Sequence, residues 1–537
     1  ANGPNIPQPL PNPTPQIPGT AAAIANAQAL GSAFPDGGWL RADQSIQQDR
    51  VSAFYQIAVA LGQVIAASYL GPIAGNCALG TSGATDNVCL DAFIQGFGSR
   101  ALRRPLVQED ITWYEGNYKL NGPDSTLTNP AASGYQDVLT GFFAAPEFLY
   151  FVEHGDPNAA ANASGVYPLS AYELASRLSY QVWDTIPDAE LWGHAVDGTL
   201  TTPSVYQQEV DRLFQDPRAQ QTLDLFFSDY FQANSQGGLL GTGGLNYHDL
   251  ASLGINPSKA AAAFAGSDLP GPNLYTDMIA DALGFADYYS WTSPGTISDL
   301  LTSGLSFAQT ADVAKLYGLA PWDGKSQPSS FPANQRPGLF TRALFVSAGL
   351  DTTPILKGVY FRRYVLCDEL GPPPPAAAGA HVTITGNETT AQATAALTGS
   401  GICASCHPLF INPLGFATES FDGLGRYRTN ETLYNTDGTV LASLPVNTAV
   451  IPRVMEDDNA TMASDAADLM NIAETSNKPA ACLARNYFRY TFARFEDVNV
   501  DGCSLEQMRK TLDNGGHLPD LWKSVVSTPA FQNRTFE

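Results

Sequence analysis

Cys403-Ala404-Ser405-Cys406-His407 is the stretch that most restricts what this chain can fold into. Two thiols three positions apart can add to the two vinyl groups of haem, and a histidine beside the second is then held against the iron. The motif predicts one covalent haem c, attached through Cys403 and Cys406, with His407 as proximal iron ligand. The alternative reading is a structural or disulfide-type C-x-x-C. For the distal side the sequence offers Met455, Met462 and Met470 after the motif and His381 before it. A methionine would give a higher potential than a histidine, and an open position would let the iron bind peroxide or oxygen.

Covalent haem and disulfides both point outside the cytoplasm. Seven cysteines are present, and setting the haem pair aside leaves five, an odd number. Cys77 and Cys89 flank a loop rich in Gly, Ser and Asn, while Cys482 and Cys503 flank a helix and turn. Both pairs would close short loops, and two disulfides, Cys77–Cys89 and Cys482–Cys503, are expected. Cys367 is then a buried free thiol or displaces a member of one pair. The chain starts at Ala1 without Met, as a processed secretory protein would, and shows no apolar run of spanning length, so a periplasmic or extracellular place without a transmembrane segment is expected.

Charge narrows the partners. With 52 acidic against 28 basic residues the formal charge is −24, which repels nucleic acid and anionic membrane and favours a redox partner with a basic surface. No Ser/His/Asp spacing, phosphate loop or zinc signature argues for hydrolysis or nucleotide chemistry, and six scattered histidines leave little for another metal site. One further signal is Asp497-Val498-Asn499-Val500-Asp501-Gly502, with oxygen ligands at alternate positions and a glycine for the turn, as in the first half of a calcium loop. Asp497, Asn499 and Asp501 are therefore candidate calcium ligands, although Met508 stands where a bidentate Glu belongs; a plain Asx-rich turn is the alternative.

Periodicity predicts a mostly α chain of multi-helical domains, to which the C-x-x-C-H motif adds a small cytochrome c-like haem module. Residues 1–36 read as a Pro-rich extended arm or linker, available for self-assembly or for partner subunits. Residues 37–134 read as a helical N-terminal domain and 135–370 as a second helical domain. Within it Ser170 and Glu173 form a capping box, Leu174, Leu178 and Val182 make a buried stripe, and one helix covers about 204–232. Arg103 and Arg104 end an apolar helix, as helix caps or as partners for haem propionates. A proline run at 372–375 opens the haem module, 371–463, and a C-terminal helical domain follows at 464–537.

Several blocks carry a family resemblance. Cys403-Ala404-Ser405-Cys406-His407 is followed by Asn412-Pro413-Leu414-Gly415-Phe416-Ala417, Glu419, Phe421-Asp422, Gly425-Arg426 and Arg428. Upstream lie Arg103-Arg104-Pro105-Leu106, Ala175-Ser176-Arg177-Leu178-Ser179-Tyr180, Leu316-Tyr317-Gly318 and Arg336-Pro337-Gly338-Leu339. From about residue 75 onward the chain resembles the planctomycete-type cytochrome c proteins, secreted chains built from linked domains of unknown function around one haem module. That family usually has Asp where this chain has Asn412. The resemblance implies a mostly helical, exported, monohaem bacterial protein and no particular reaction.

Three functions follow as expectations. An exported electron-transfer cytochrome leads, with the iron closed by His407 and a second side chain. A haem enzyme, such as a peroxidase or an oxidase of an organic substrate, would leave one axial position open. A structural subunit of an extracellular redox assembly would use the N-terminal arm.

Overall fold

Helix dominates the computed structural model, which describes residues 48–74, 87–121, 132–156, 159, 165–233, 273–348, 352–371, 382 and 386–535. The expected arm at 1–36, Cys77, His381 and the proline run at 372–375 lie outside the described residues. The fold is mostly α, as its periodicity predicts, with two small antiparallel pairs of strands among the described residues.

By contact the chain divides into two units, one of residues up to 215 closed by 529–537, the other essentially 216–528. The division falls between Gln215 and Asp216. In the first unit, α1 (Gln48–Ser68), α2 (Leu70–Ala74), α3 (Asn87–Ala101), α4 (Gln108–Asn121) and α5 (Ala132–Ala144) surround one apolar core that includes Ala58, Leu90, Ile94, Leu139 and Phe142. At Gly62 α1 approaches α5 so closely that a Cβ would stand 2.7 Å from Thr140 Oγ1 and 2.9 Å from the Gln136 carbonyl. Contrary to the expectation of no spanning run, the Val51–Ser68 stretch of α1 is long and apolar enough to cross a membrane by length and composition. Its alanines and glutamines dilute the apolar signal in sequence, and in the fold Ala58 and Ala66 belong to the packed core.

Arg103 and Arg104 tie the end of α3 to the short helix α6 (Pro146–Leu149). Arg103 donates to the Glu147 and Tyr150 carbonyls, and Arg104 pairs with Asp110 at 2.6 Å and Glu147 at 3.3 Å. Strand β1 (Val166–Pro168) leads into α7 (Ala171–Trp183), which opens with the expected capping box of Ser170 and Glu173 and buries Leu174, Leu178 and Val182. Then come α8 (Ala189–Val196) and α9 (Pro203–Gln215).

The single helix expected over 204–232 is two. Asp216 caps α10 (Pro217–Tyr230), and Pro217 at its first position ends α9 by lacking the amide hydrogen that would continue it. α10 opens the second unit, followed by α11 (Leu274–Asp287), α12 (Ile297–Thr302), α13 (Ala311–Tyr317), α14 (Ala343–Val346) and α15 (Pro354–Tyr360). Next are α16 (Thr390–Thr398), α17 (Asn412–Phe416) and the hairpin β2 (Asn430–Tyr434) and β3 (Val440–Pro445), whose turn carries Asp437-Gly438. α18 (Ala466–Thr475), α19 (Lys478–Phe492), α20 (Val498–Lys510) and α21 (Leu518–Ser524) complete it. Phe226 of α10, Tyr487 of α19 and Trp522 of α21 form its aromatic centre, with ring centroids 5.0 to 5.7 Å apart. The last short helix, α22 (Pro529–Gln532), and β4 (Asn533–Thr535) return to the first unit, where β4 pairs with β1.

Candidate functional site

Cys403 lies in a tight turn, Gly401–Ser405, that Gly401 enters at φ 62°, and Cys406 links it to a wider turn, His407–Ile411, running straight into α17. Cys403 and Cys406 are both unpaired thiols, half-buried and exposed respectively. Beside them Ile402 and Leu409 expose apolar side chains.

The imidazole of His407 is oriented from behind. Thr398 Oγ1 donates to the Thr394 carbonyl at 2.7 Å, which can only accept, so the hydroxyl accepts from Asn412 Nδ2 at 2.8 Å. The Asn412 amide is thereby turned with Oδ1 toward His407, and Nδ1–H of the ring donates to it at 3.1 Å. Thr398 and Asn412 are buried, so this chain of bonds is shielded from water. It places the ring proton on Nδ1 and leaves the Nε2 lone pair for an electrophile, the tautomer in which histidines bind metals. One nitrogen donor and two thiols on adjacent turns fit the covalent haem that the motif predicts.

The turn rests on a rigid base. Gly358 of α15 and Gly415 of α17 let the two helices touch at the backbone: a Cβ at Gly358 would stand 2.0 Å from the Ile411 carbonyl, and one at Gly415 1.9 Å from that of Pro354. Below them Lys357 donates to Glu419 at 2.6 Å, both buried, and Thr352 donates to the same carboxylate at 2.7 Å. Burial pushes the Lys357 amine below its ordinary range, against the pull of Glu419. Further along, Arg336 is sandwiched between Tyr317 and Phe421, 4.4 Å from each ring, and donates to the Thr341 and Gly425 carbonyls. Burial pushes it down to about 10. Three of the blocks that carried the resemblance thus meet at one guanidinium.

The three methionines fare differently. Met470 is fully buried inside α18, whereas Met455 and Met462 are 48% and 62% exposed on the loop before it. Cys482 is bonded to Cys367 and not to Cys503. It lies on the buried face of α19 against residues 361–365, with the Cys367 Cα 5.2 Å away, while Cys503 is exposed on α20. The partner expected for Cys89 lies outside the described residues.

The calcium reading is also corrected. Asp497 is the N-cap of α20, its Oδ1 accepting from the Asn499 amide, so the stretch from 498 on is helix rather than loop. In a helix, positions two apart diverge by about 200° and cannot encircle one ion. Asp501 is buried and bonded to Arg494 at 2.6 and 2.8 Å. In the first unit Glu190, His194 and Glu209 bring ligand atoms within 4.8 Å of one another. Both Glu209 oxygens accept from Arg212, at 3.0 and 2.6 Å, so that group is an ion-pair network.

Comparison with family models finds PSD5, a protein of unknown function (DUF1595), over residues 89–153. PSD4, a protein of unknown function (DUF1592), matches residues 169–319. PSCyt3, a protein of unknown function (DUF1588), matches residues 336–431 and so spans both thiols and His407. Between them the three cover more than half of the chain. No curated protein and no solved structure matches it.

Proposed function

The chain belongs to the planctomycete-type cytochrome c proteins, and from that we propose that it is an exported electron-transfer protein carrying one covalent haem c. Cys403 and Cys406 are the attachment thiols and His407 Nε2 the proximal ligand. Bound there, haem c supplies a one-electron iron couple. The protein's own part is to fix the imidazole, to limit water and to present an edge to a partner. The observation that carries this reading is the bonded series from Thr394 through Thr398 and Asn412 to His407, which sets the ring in its ligating tautomer.

The Cys367–Cys482 disulfide supports an oxidising compartment, the periplasm or the exterior. A formal charge of −24 suits a donor or acceptor with a basic surface.

The test is the visible spectrum of the purified protein, oxidised and reduced, then with carbon monoxide and peroxide. Haem that stays with the denatured polypeptide, and is lost in Cys403→Ser and Cys406→Ser, is the expected result. A low-spin spectrum unmoved by either ligand fits electron transfer. Rapid binding or bleaching would overturn that assignment in favour of a haem oxidoreductase with an open axial position.

A further inference from the structure

We infer that Met455 is the distal iron ligand and that buried Arg362 with the partly buried Asp368 and Lys478 form a staple holding its loop in register with the His407 turn. This rests on the haem reading above. The geometry converges on one side chain. The Arg362 guanidinium, buried on the face of α15's continuation, donates from Nε and Nη2 to the Phe410 carbonyl at 3.1 and 3.0 Å. From Nη2 it also reaches the Pro452 carbonyl at 3.1 Å, and from Nη1 the Arg453 carbonyl at 2.9 Å. One planar cation therefore joins the turn that begins at His407 to the loop that carries Met455. His407 and Met455 each lie three residues from a carbonyl sharing Nη2, a reach of at most about 10 Å of chain.

A second cation fixes the next residue. Lys478, at the start of α19, donates to the Val454 carbonyl at 3.1 Å, and Val454 is buried. Asp368 joins the two cations, accepting from Arg362 Nη1 at 2.8 Å and from Lys478. Its position is held in turn by the disulfide at the preceding residue, whose partner Cys482 is one turn of α19 beyond Lys478. The carbonyls of 452, 453 and 454 are thus all anchored, while the Met455 side chain is left exposed. An exposed thioether at the end of an anchored backbone is set up to be covered by a ligand rather than to fill a core. Met470 is part of the core of α18, and Met462 adjoins the Val450–Ala463 bridge, outside the 452–454 stretch whose carbonyls the two cations hold.

The experiment uses the full haem-loaded chain with Met455→Ala, Met462→Ala, Met455→His and Asp368→Asn. Both methionines are about half-exposed or more, so neither alanine variant opens a cavity in the core. The unaltered protein is expected to show the weak red charge-transfer band of thioether-ligated ferric haem. Met455→Ala loses it and its reduced form binds carbon monoxide, whereas Met462→Ala keeps it. Met455→His replaces it with a bis-imidazole spectrum. Asp368→Asn loses the band at a lower temperature than it loses helical circular dichroism, which a merely structural role would not separate. Covalent haem with an unchanged Met455→Ala spectrum, or loss of the band in Met462→Ala instead, would overturn this inference alone. Absence of covalent haem from the unaltered chain would overturn the proposed function together with it.

Discussion

Asn412 shows how much a single residue sets here. As an amide it accepts from His407 Nδ1–H without bringing charge, and its own amino group is committed to Thr398. A carboxylate in its place would make a charge-assisted bond, stronger by about 1 kcal/mol. That would favour the oxidised iron, so Asn412→Asp is expected to lower the midpoint potential by at most about 40 mV on the one-electron scale, measured by spectroelectrochemistry. Asn412→Ala takes the acceptor from the part-buried His407 Nδ1–H, while Thr398 keeps its bond to the Thr394 carbonyl, and should cost about 1–3 kcal/mol in denaturant titration. Among the cysteines the same scale decides stability. Cys367–Cys482 closes a separation of 115 residues, for which the chain-entropy account gives about 5 kcal/mol. Cys367→Ser should lower the denaturation midpoint accordingly, and Cys503→Ser, at an exposed free thiol, should leave it unchanged. The proposed attachment residues stand out in the sequence because that chemistry needs fixed spacing. The disulfide partner was not, because pairing depends on which buried faces meet.

At the level of elements, α10 and α11 carry a carboxyl pair, Asp224 and Asp287, on partly buried positions. Burial first and the Asp224 charge second push the Asp287 carboxyl up from 3.8 to about 8. Asp224 is raised too, mainly by burial, so the pair keeps a shared proton near neutrality. The native state then holds more protons than the unfolded chain between these values. The stabilisation from that proton is full below 3.8 and is lost as pH rises through about 8. Asp287→Asn keeps a donor toward Asp224 and removes the linkage, so its melting temperature should fall less than that of the unaltered protein between those pH values. The capping box at Ser170 and Glu173 was readable in the sequence, since both partners are local. The break between α9 and α10 was also written locally, in Asp216-Pro217, but the apolar periodicity running through it concealed the stop. The calcium-like stretch misled for the converse reason: its alternating acids are an N-cap and a buried ion pair, and Arg494, which takes Asp501, is not part of the loop pattern.

For the whole molecule, the end of the chain completes the first unit. Arg177 of α7 pairs with Glu153 and donates to the Phe531 carbonyl, Arg534 also reaches Glu153, and Phe531 is buried. Ending the chain after Thr528 would leave Glu153 and Arg177 short of partners and uncover β1. Calorimetry of that truncation should show destabilisation of about 3 kcal/mol, the scale for breaking a buried ionic group, with the haem spectrum retained. The sequence by itself determined the mostly helical class and singled out Cys403, Cys406 and His407 as the proposed haem site. Spacing within a few residues carries each of these, and neighbours in sequence must be neighbours in space. Only the tertiary structure decided the Cys367–Cys482 bond, the two-unit division and the meeting of residues 362, 368, 410, 453 and 478 at one staple. Those pairings lie far apart along the chain, and burial drives charged groups to whichever partner the packed helices bring within hydrogen-bonding distance.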